Sequence, residues 1–183
     1  MASSVDVSGS IRFDLQSGSV HIGDGAQGVV VPADVLKALV AGASQAVRSR
    51  VGRELGAHLG RGIIRRASGA KPLLDADLEH AASLLAAELA IAGLGSCNLE
   101  RWGRALVVHV TDAPSLASDF IASIIEGALA VATARAVYCA LLSEQGGIRV
   151  LVASESGASR VREWLAQGAT YGEALVRLQR GAS

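Results

Sequence analysis

Glycine recurs at positions 52, 56 and 60, inside a stretch whose other residues read as one long helix. Residues four apart stack above one another on a helix. The three glycines therefore form a line with no side chains. Each glycine in a helix interior costs about 1 kcal/mol relative to alanine. Three on one line predict that another backbone approaches closely there. Beside the line runs an apolar stripe, Val47, Val51, Leu55, Leu59 and Ile63, which predicts a helix over Ser44–Ala67. The line is either a helix-helix contact within the chain or a subunit interface, because both exploit the missing side chain.

The rest of the chain is small in the same way. Half of its 183 residues are apolar, yet only 3% are aromatic and 21 are glycine. That length predicts one domain, two at most, and the apolar content at a net charge of +0 excludes disorder for most of it. The same balance argues against a strongly basic nucleic-acid binder. A mean hydropathy of +0.38 invites a membrane reading. The best apolar stretches, 84–99 and 116–134, fail it: the first contains Glu88, and the second Asp119 and Glu126. No membrane span is therefore expected. Residues 1–10 lack the basic start and apolar run of a secretory signal and read as a loose leader. With two cysteines, Cys97 and Cys139, a reduced, cytoplasmic protein is the expectation.

Periodicity sets out the remaining elements. Ile11–Leu15 and Val20–Ile22 alternate and predict a hairpin, with turn residues again at Asp24-Gly25. A tight apolar run, Val29-Val30-Val31, leads through Pro32 into a short helix over 34–41, which Gly42 ends. After the first long helix comes a loop with Gly69 and Pro72. Asp75, Asp77 and Glu79 then open a second helix that Gly93 and Gly95 stop. Strands are predicted at 98–102 and 105–111, and the third long helix at 116–134. A hairpin of strands at 136–142 and 148–153 follows, joined through Gly146-Gly147. Helix resumes near Gly157, and Thr170 with Glu173 forms a capping box for a last helix to Arg180. Neighbouring strands are close enough for hairpins, so the fold class is α+β. It has a mostly antiparallel sheet covered on one side by long helices, with a C-terminal helical extension. The boundaries are 1–10 for the leader, 11–153 for the α+β domain and 154–183 for the extension.

Few residues point to chemistry. His21, His58, His80 and His109 fall on separate elements without metal-ligand spacing. Cys139 alternates with Val137 and Leu141 and reads as buried and inert, while Cys97 reads as a loop residue and the more accessible thiol. No nucleophile elbow or phosphate-binding glycine loop is present. Arg48, Arg50, Arg53, Arg61, Arg65 and Arg66 give the first long helix a basic surface, either a solvated face or a dock for an acidic partner. Trp164 either staples the extension onto the domain or anchors a partner.

Three strings, in this order and spacing, carry a family resemblance: 51–59 (Val-Gly-Arg-Glu-Leu-Gly-Ala-His-Leu), 105–110 (Ala-Leu-Val-Val-His-Val) after Leu94-Gly95 and Trp102, and 124–129 (Ile-Ile-Glu-Gly-Ala-Leu). With the hairpin over 137–152, they resemble the superfamily of 4-vinyl-reductase domains and the core subunits of TRAPP vesicle-tethering complexes. The resemblance covers roughly 11–153. It implies an α+β domain that dimerises through its helices, and in some members an apolar cavity for a hydrocarbon or acyl chain. The cysteine cluster that often ends the 4-vinyl-reductase branch is missing from 154–183. Residues 71–75, Lys-Pro-Leu-Leu-Asp, lack the acylated cysteine of some TRAPP subunits. Neither a metal role nor acylation carries over.

The leading expectation is a non-enzymatic scaffold, a cytoplasmic homodimer with a protein partner, whose interface residues are Gly52, Gly56, Gly60 and Trp164. The alternative is a domain that binds or senses a hydrophobic small molecule through Phe120, Ile124, Ile125, Ala128, Leu129 and Cys139. A third, weaker expectation is an enzyme or accessory factor acting on a tetrapyrrole. No catalytic residue, metal or cofactor is assigned beyond that hydrophobic ligand. The small residues Ala128, Ala132, Ala136 and Ala140 either close the core or leave room for a guest.

Overall fold

The structure is a computed structural model that describes residues 10–22, 26–68, 78–103 and 105–180. The leader before Ser10, the turn at Asp24-Gly25, the loop around Gly69 and Pro72, and the acidic residues Asp75 and Asp77 lie outside the described residues.

The chain folds as α+β, as the periodicities predict. Three short strands, β1 (Ile11–Asp14), β2 (Ser19–Ile22) and β3 (Ala26–Gly28), form a small antiparallel sheet. Then come α1 (Ala33–Gly42), α2 (Gln45–Ser68) and α3 (Leu78–Ile91). The main sheet has the order β4-β5-β7-β6, from β4 (Ser96–Trp102), β5 (Ala105–Thr111), β6 (Tyr138–Ser143) and β7 (Ile148–Ala153), every pair antiparallel. Helix α4 (Ser118–Thr133) separates the two hairpins, and α5 (Glu155–Ala166) and α6 (Tyr171–Arg180) end the fold. The apolar run Val29–Val31 is not a strand; it lies exposed between β3 and α1.

Strand alternation decides what each face of the main sheet meets. Val108, Val110, Cys139, Ile148 and Val150 point to the face that α2, α3 and α4 cover, joining Ile63, Leu85, Phe120 and Ile125 in the larger core. Val107, Ala140, Leu142 and Leu151 point the other way, onto Ala158, Val161, Ala174 and Leu175 of α5 and α6. The long helices thus cover one face as expected, and the C-terminal helices close the second. Trp164 packs half-buried against this smaller core. That contact is the staple reading of Trp164.

The glycine line is the contact between α2 and α4. A Cβ on Gly52 would stand 2.8 Å from Ser123 Cβ, and one on Gly60 would stand 2.5 Å from the carbonyl oxygen of Ala128. A Cβ on Gly56 would overlap the Ile124 carbonyl oxygen. Gly127 of α4 answers from the other side, facing the Arg53 carbonyl. The assignment of Gly52, Gly56 and Gly60 to a subunit interface is therefore corrected. The partner backbone belongs to the same chain, and the line is buried beneath it. Ala128 serves the same close approach, Ala132 is buried in the same larger core, Ala140 belongs to the smaller core, and Ala136 is exposed. The smallness at 128 and 132 closes the core instead of hollowing it.

The last helix begins as the sequence indicates. Thr170 N–H donates to Glu173 Oε2 at 2.8 Å, and Glu173 N–H donates back to Thr170 Oγ1 at 3.3 Å. Replacing Thr170 with alanine is expected to cost about 1 kcal/mol, read as a lowered midpoint in urea with an unchanged slope.

Candidate functional site

A polar stripe on α4, Asp119, Ser123 and Glu126, lies opposite that helix's broad apolar face. The spacing of four and three residues puts them on one side. That side opens onto β6, the last strand of the main sheet, whose outer edge has no neighbouring strand. The N-terminal half of α2 and the helix α5 form the other walls. The result is a half-open cavity of about 480 Å³ lined by Gln45, Ser49 and Arg53 of α2, the α4 stripe with Ala122, Tyr138, Cys139 and Leu141 of β6, and Arg162 and Leu165 of α5.

The cavity is built around the free edge of β6. Cys139 N–H donates to Glu126 Oε2 at 2.9 Å, and Cys139 C=O accepts from Arg162 at 3.0 Å. These are the backbone bonds that a further strand would make, so side chains of α4 and α5 occupy the edge. Glu126 also meets Arg53 at 3.6 Å. At the other end, Arg48 grips Asp119, with bonds of 3.0 Å from Nε and 2.7 Å from Nη2 to one carboxylate oxygen. The lining thus carries charges of both signs beside Ala122, Leu141 and Leu165. Arg53 is half exposed and lines the opening.

Three arginines of the basic surface on α2 are committed within the chain: Arg48 to Asp119, Arg53 to Glu126, and Arg66 to the buried Glu88 at 2.7 Å. Those guanidiniums tie α2 to α4 and α3, so the basic surface is not a continuous dock.

Of the six candidate ligand-binding residues, only Cys139 lines this cavity. Phe120, Ile124, Ile125, Ala128 and Leu129 lie in the packed core. Their wide apolar stripe faces the sheet and α2. The cavity instead uses the opposite, polar stripe, to which the sequence analysis assigns no role.

Both thiols are buried. Burial alone raises the Cys97 thiol to about 12. Cys139 is raised first by burial and then by the Glu126 carboxylate, with Arg162 opposing. Cys97 is not the accessible loop residue expected, because β4 starts at Ser96 and turns Cys97 into the core opposite Val110. Among the described residues, no group of three His, Cys, Asp or Glu side chains could hold a metal ion, and no helix is long and apolar enough to cross a membrane.

No protein-family model and no curated protein matches the chain. Solved structures do. The crystal structure of the phenol-responsive sensory domain of the transcription activator PoxR with phenol is similar at a TM-score of 0.60 and 14% identity. The match covers 78% of this chain and 84% of that one. At that identity the likeness shows a shared fold.

Proposed function

We propose that this chain is a ligand-binding or sensory domain, and that the cavity on the edge of β6 holds a small amphipathic molecule. The observation that carries the reading is the cavity itself. Its volume of about 480 Å³ falls in the range of small-molecule sites, about 300–1,000 Å³. Its walls set the apolar Ala122, Leu141 and Leu165 among convergent polar and charged side chains. An apolar body would rest on Ala122, Leu141 and Leu165, and a polar or anionic group would face Arg53 and Arg162. A fold shared with a domain that is itself a small-molecule sensor supports this reading over the scaffold. The reading assigns no catalytic residue; both thiols stay protonated at neutral pH, so neither is a ready nucleophile.

Native mass spectrometry of protein purified from its own cells tests the reading. The expected result is a retained adduct of a few hundred daltons, on the order of what such a cavity holds. Replacing the half-buried Ser49 with tryptophan should fill the cavity and abolish the adduct without lowering the melting temperature. An adduct-free wild-type protein that phenols, aromatic acids and short acyl chains all fail to stabilise thermally would overturn the proposal.

A further inference from the structure

The polar groups that line the cavity divide into those already engaged and those still open. Both carboxylates are engaged. Asp119 accepts from Nε and Nη2 of Arg48, and Glu126 accepts from the Cys139 N–H with Arg53 3.6 Å away. The donors are more open. A guanidinium carries five N–H groups, yet among the described residues Arg162 makes a single hydrogen bond, to the Cys139 C=O at 3.0 Å. The hydroxyls of Ser49 and Tyr138 also line the cavity, and neither bonds to another described residue. Charge divides the same way. Arg48 and Arg53 each face a carboxylate, whereas Arg162 has none within ion-pair distance among the described residues. Three guanidiniums against two carboxylates leave one positive charge in excess, beside the apolar Ala122, Leu141 and Leu165.

We infer that the molecule this cavity takes is a small organic acid, bound as a monocarboxylate with its charge at Arg162. This rests on the ligand-binding reading and narrows it to one chemical class. An ionised carboxylate accepts hydrogen bonds and donates none, which matches a cavity whose open groups include a guanidinium and two hydroxyls. Hydrogen bonds between ions are roughly twice as strong as those between neutral groups. A phenol, or an amide of the same shape, is therefore the weaker guest. An amine would add a cation to a positive excess. A second negative charge would stand near Asp119 and Glu126 with no further guanidinium to balance it, so one carboxylate is the limit. Arg162 is also held in place without a ligand, because its bond to the Cys139 C=O ties it to the edge of β6. It is the residue that sets the preference for an acid.

Two measurements test it. In the first, the molecule retained by the native protein is released by unfolding and shaken with an organic solvent. A carboxylic acid is neutral at pH 2 and ionised at pH 9, so it should enter the solvent only at the lower pH. A molecule extracted at both values is neutral, and one left in water at both is a stronger or multiple ion. Either result overturns the monocarboxylate and leaves the ligand-binding reading standing. The second measurement needs no retained molecule. Benzoate and benzamide share a shape and differ in charge, as do hexanoate and hexanamide. Calorimetric titration should find each acid bound about tenfold tighter than its amide. Arg162→Gln keeps a donor for the Cys139 C=O without the charge, and should erase that difference. Amides that bind as tightly as the acids, or a preference that survives in a folded Arg162→Gln protein, count against the inference. Should that variant fail to fold, the acid and amide affinities of the wild type decide alone. If nothing is retained and none of the four probes binds, the ligand-binding reading falls and this inference falls with it.

Discussion

Replacing Gly56 with leucine is expected to leave no folded protein at 25 °C. The position looks mild in sequence, since leucine is a better helix former than glycine by nearly 1 kcal/mol. The contact across it reverses the sign. Even the first carbon of a side chain would overlap the Ile124 carbonyl oxygen and stand 2.8 Å from the Ala128 amide nitrogen. Both are backbone atoms of α4, so no rotamer can move them aside. Helix α4 would have to withdraw from α2, and it carries Phe120, Ile121, Ile124 and Ile125, all at most 1% exposed. Opening that contact forfeits packing along the whole helix pair, in an interior that tolerates little change of shape. The cost should exceed the 5–15 kcal/mol that separates native from unfolded states. Circular dichroism of Gly56→Leu should lack a cooperative melt. Gly172→Ala supplies the control, because a Cβ there meets nothing within 4 Å. It should be neutral or stabilising by about 0.5 kcal/mol. A Gly56→Leu protein that melts like wild type would show that α2 and α4 are not held this closely.

How much of this was legible depended on whether the signal was local. The glycine line declared a close backbone approach, and the structure has one. What a line of missing side chains cannot declare is whose backbone arrives. Gly127 would have narrowed the choice, since a glycine at the matching place on α4 makes the contact reciprocal. The strand pairs and capping box were legible because alternation and a four-residue motif are local properties. The second covered face of the sheet was harder to see: Val107 and Leu151 look alike whether they meet α2 or α5. The cavity was the least legible part. Asp119, Ser123 and Glu126 have the spacing of an ordinary solvated helix face. Only the tertiary fold lays them along the edge of β6, where Glu126 acquires the Cys139 amide. The one sequence sign was a polar stripe of uniform side on a helix otherwise buried. Cys97 was misplaced for a smaller reason, a strand that starts two residues early.

The two buried thiols make the fold sensitive to alkali, with an expected loss of about 1.4 kcal/mol per pH unit for each cysteine above pH 9. In the unfolded chain a thiol ionises near its ordinary value of 9. In the folded chain Cys97 keeps its proton up to about 12, because a thiolate in that apolar surrounding would lack solvation. Between those values the native state binds more protons than the unfolded one, so stability falls as pH rises. It is fully present below pH 9 and, for Cys97, about 4 kcal/mol lower by pH 12. Cys139 acts in the same direction, since its burial and the neighbouring Glu126 carboxylate both disfavour the thiolate. Urea midpoints measured at half-unit steps from pH 8 to pH 10.5 should therefore decline steadily. The double variant Cys97→Ala, Cys139→Ala should start lower, because two core atoms are lost, but its midpoint should decline much less over the same interval. Equal slopes in the two proteins would mean that other groups govern alkaline unfolding. The same burial makes both thiols slow toward an alkylating reagent at pH 8 in the native protein, and fast once urea has unfolded it.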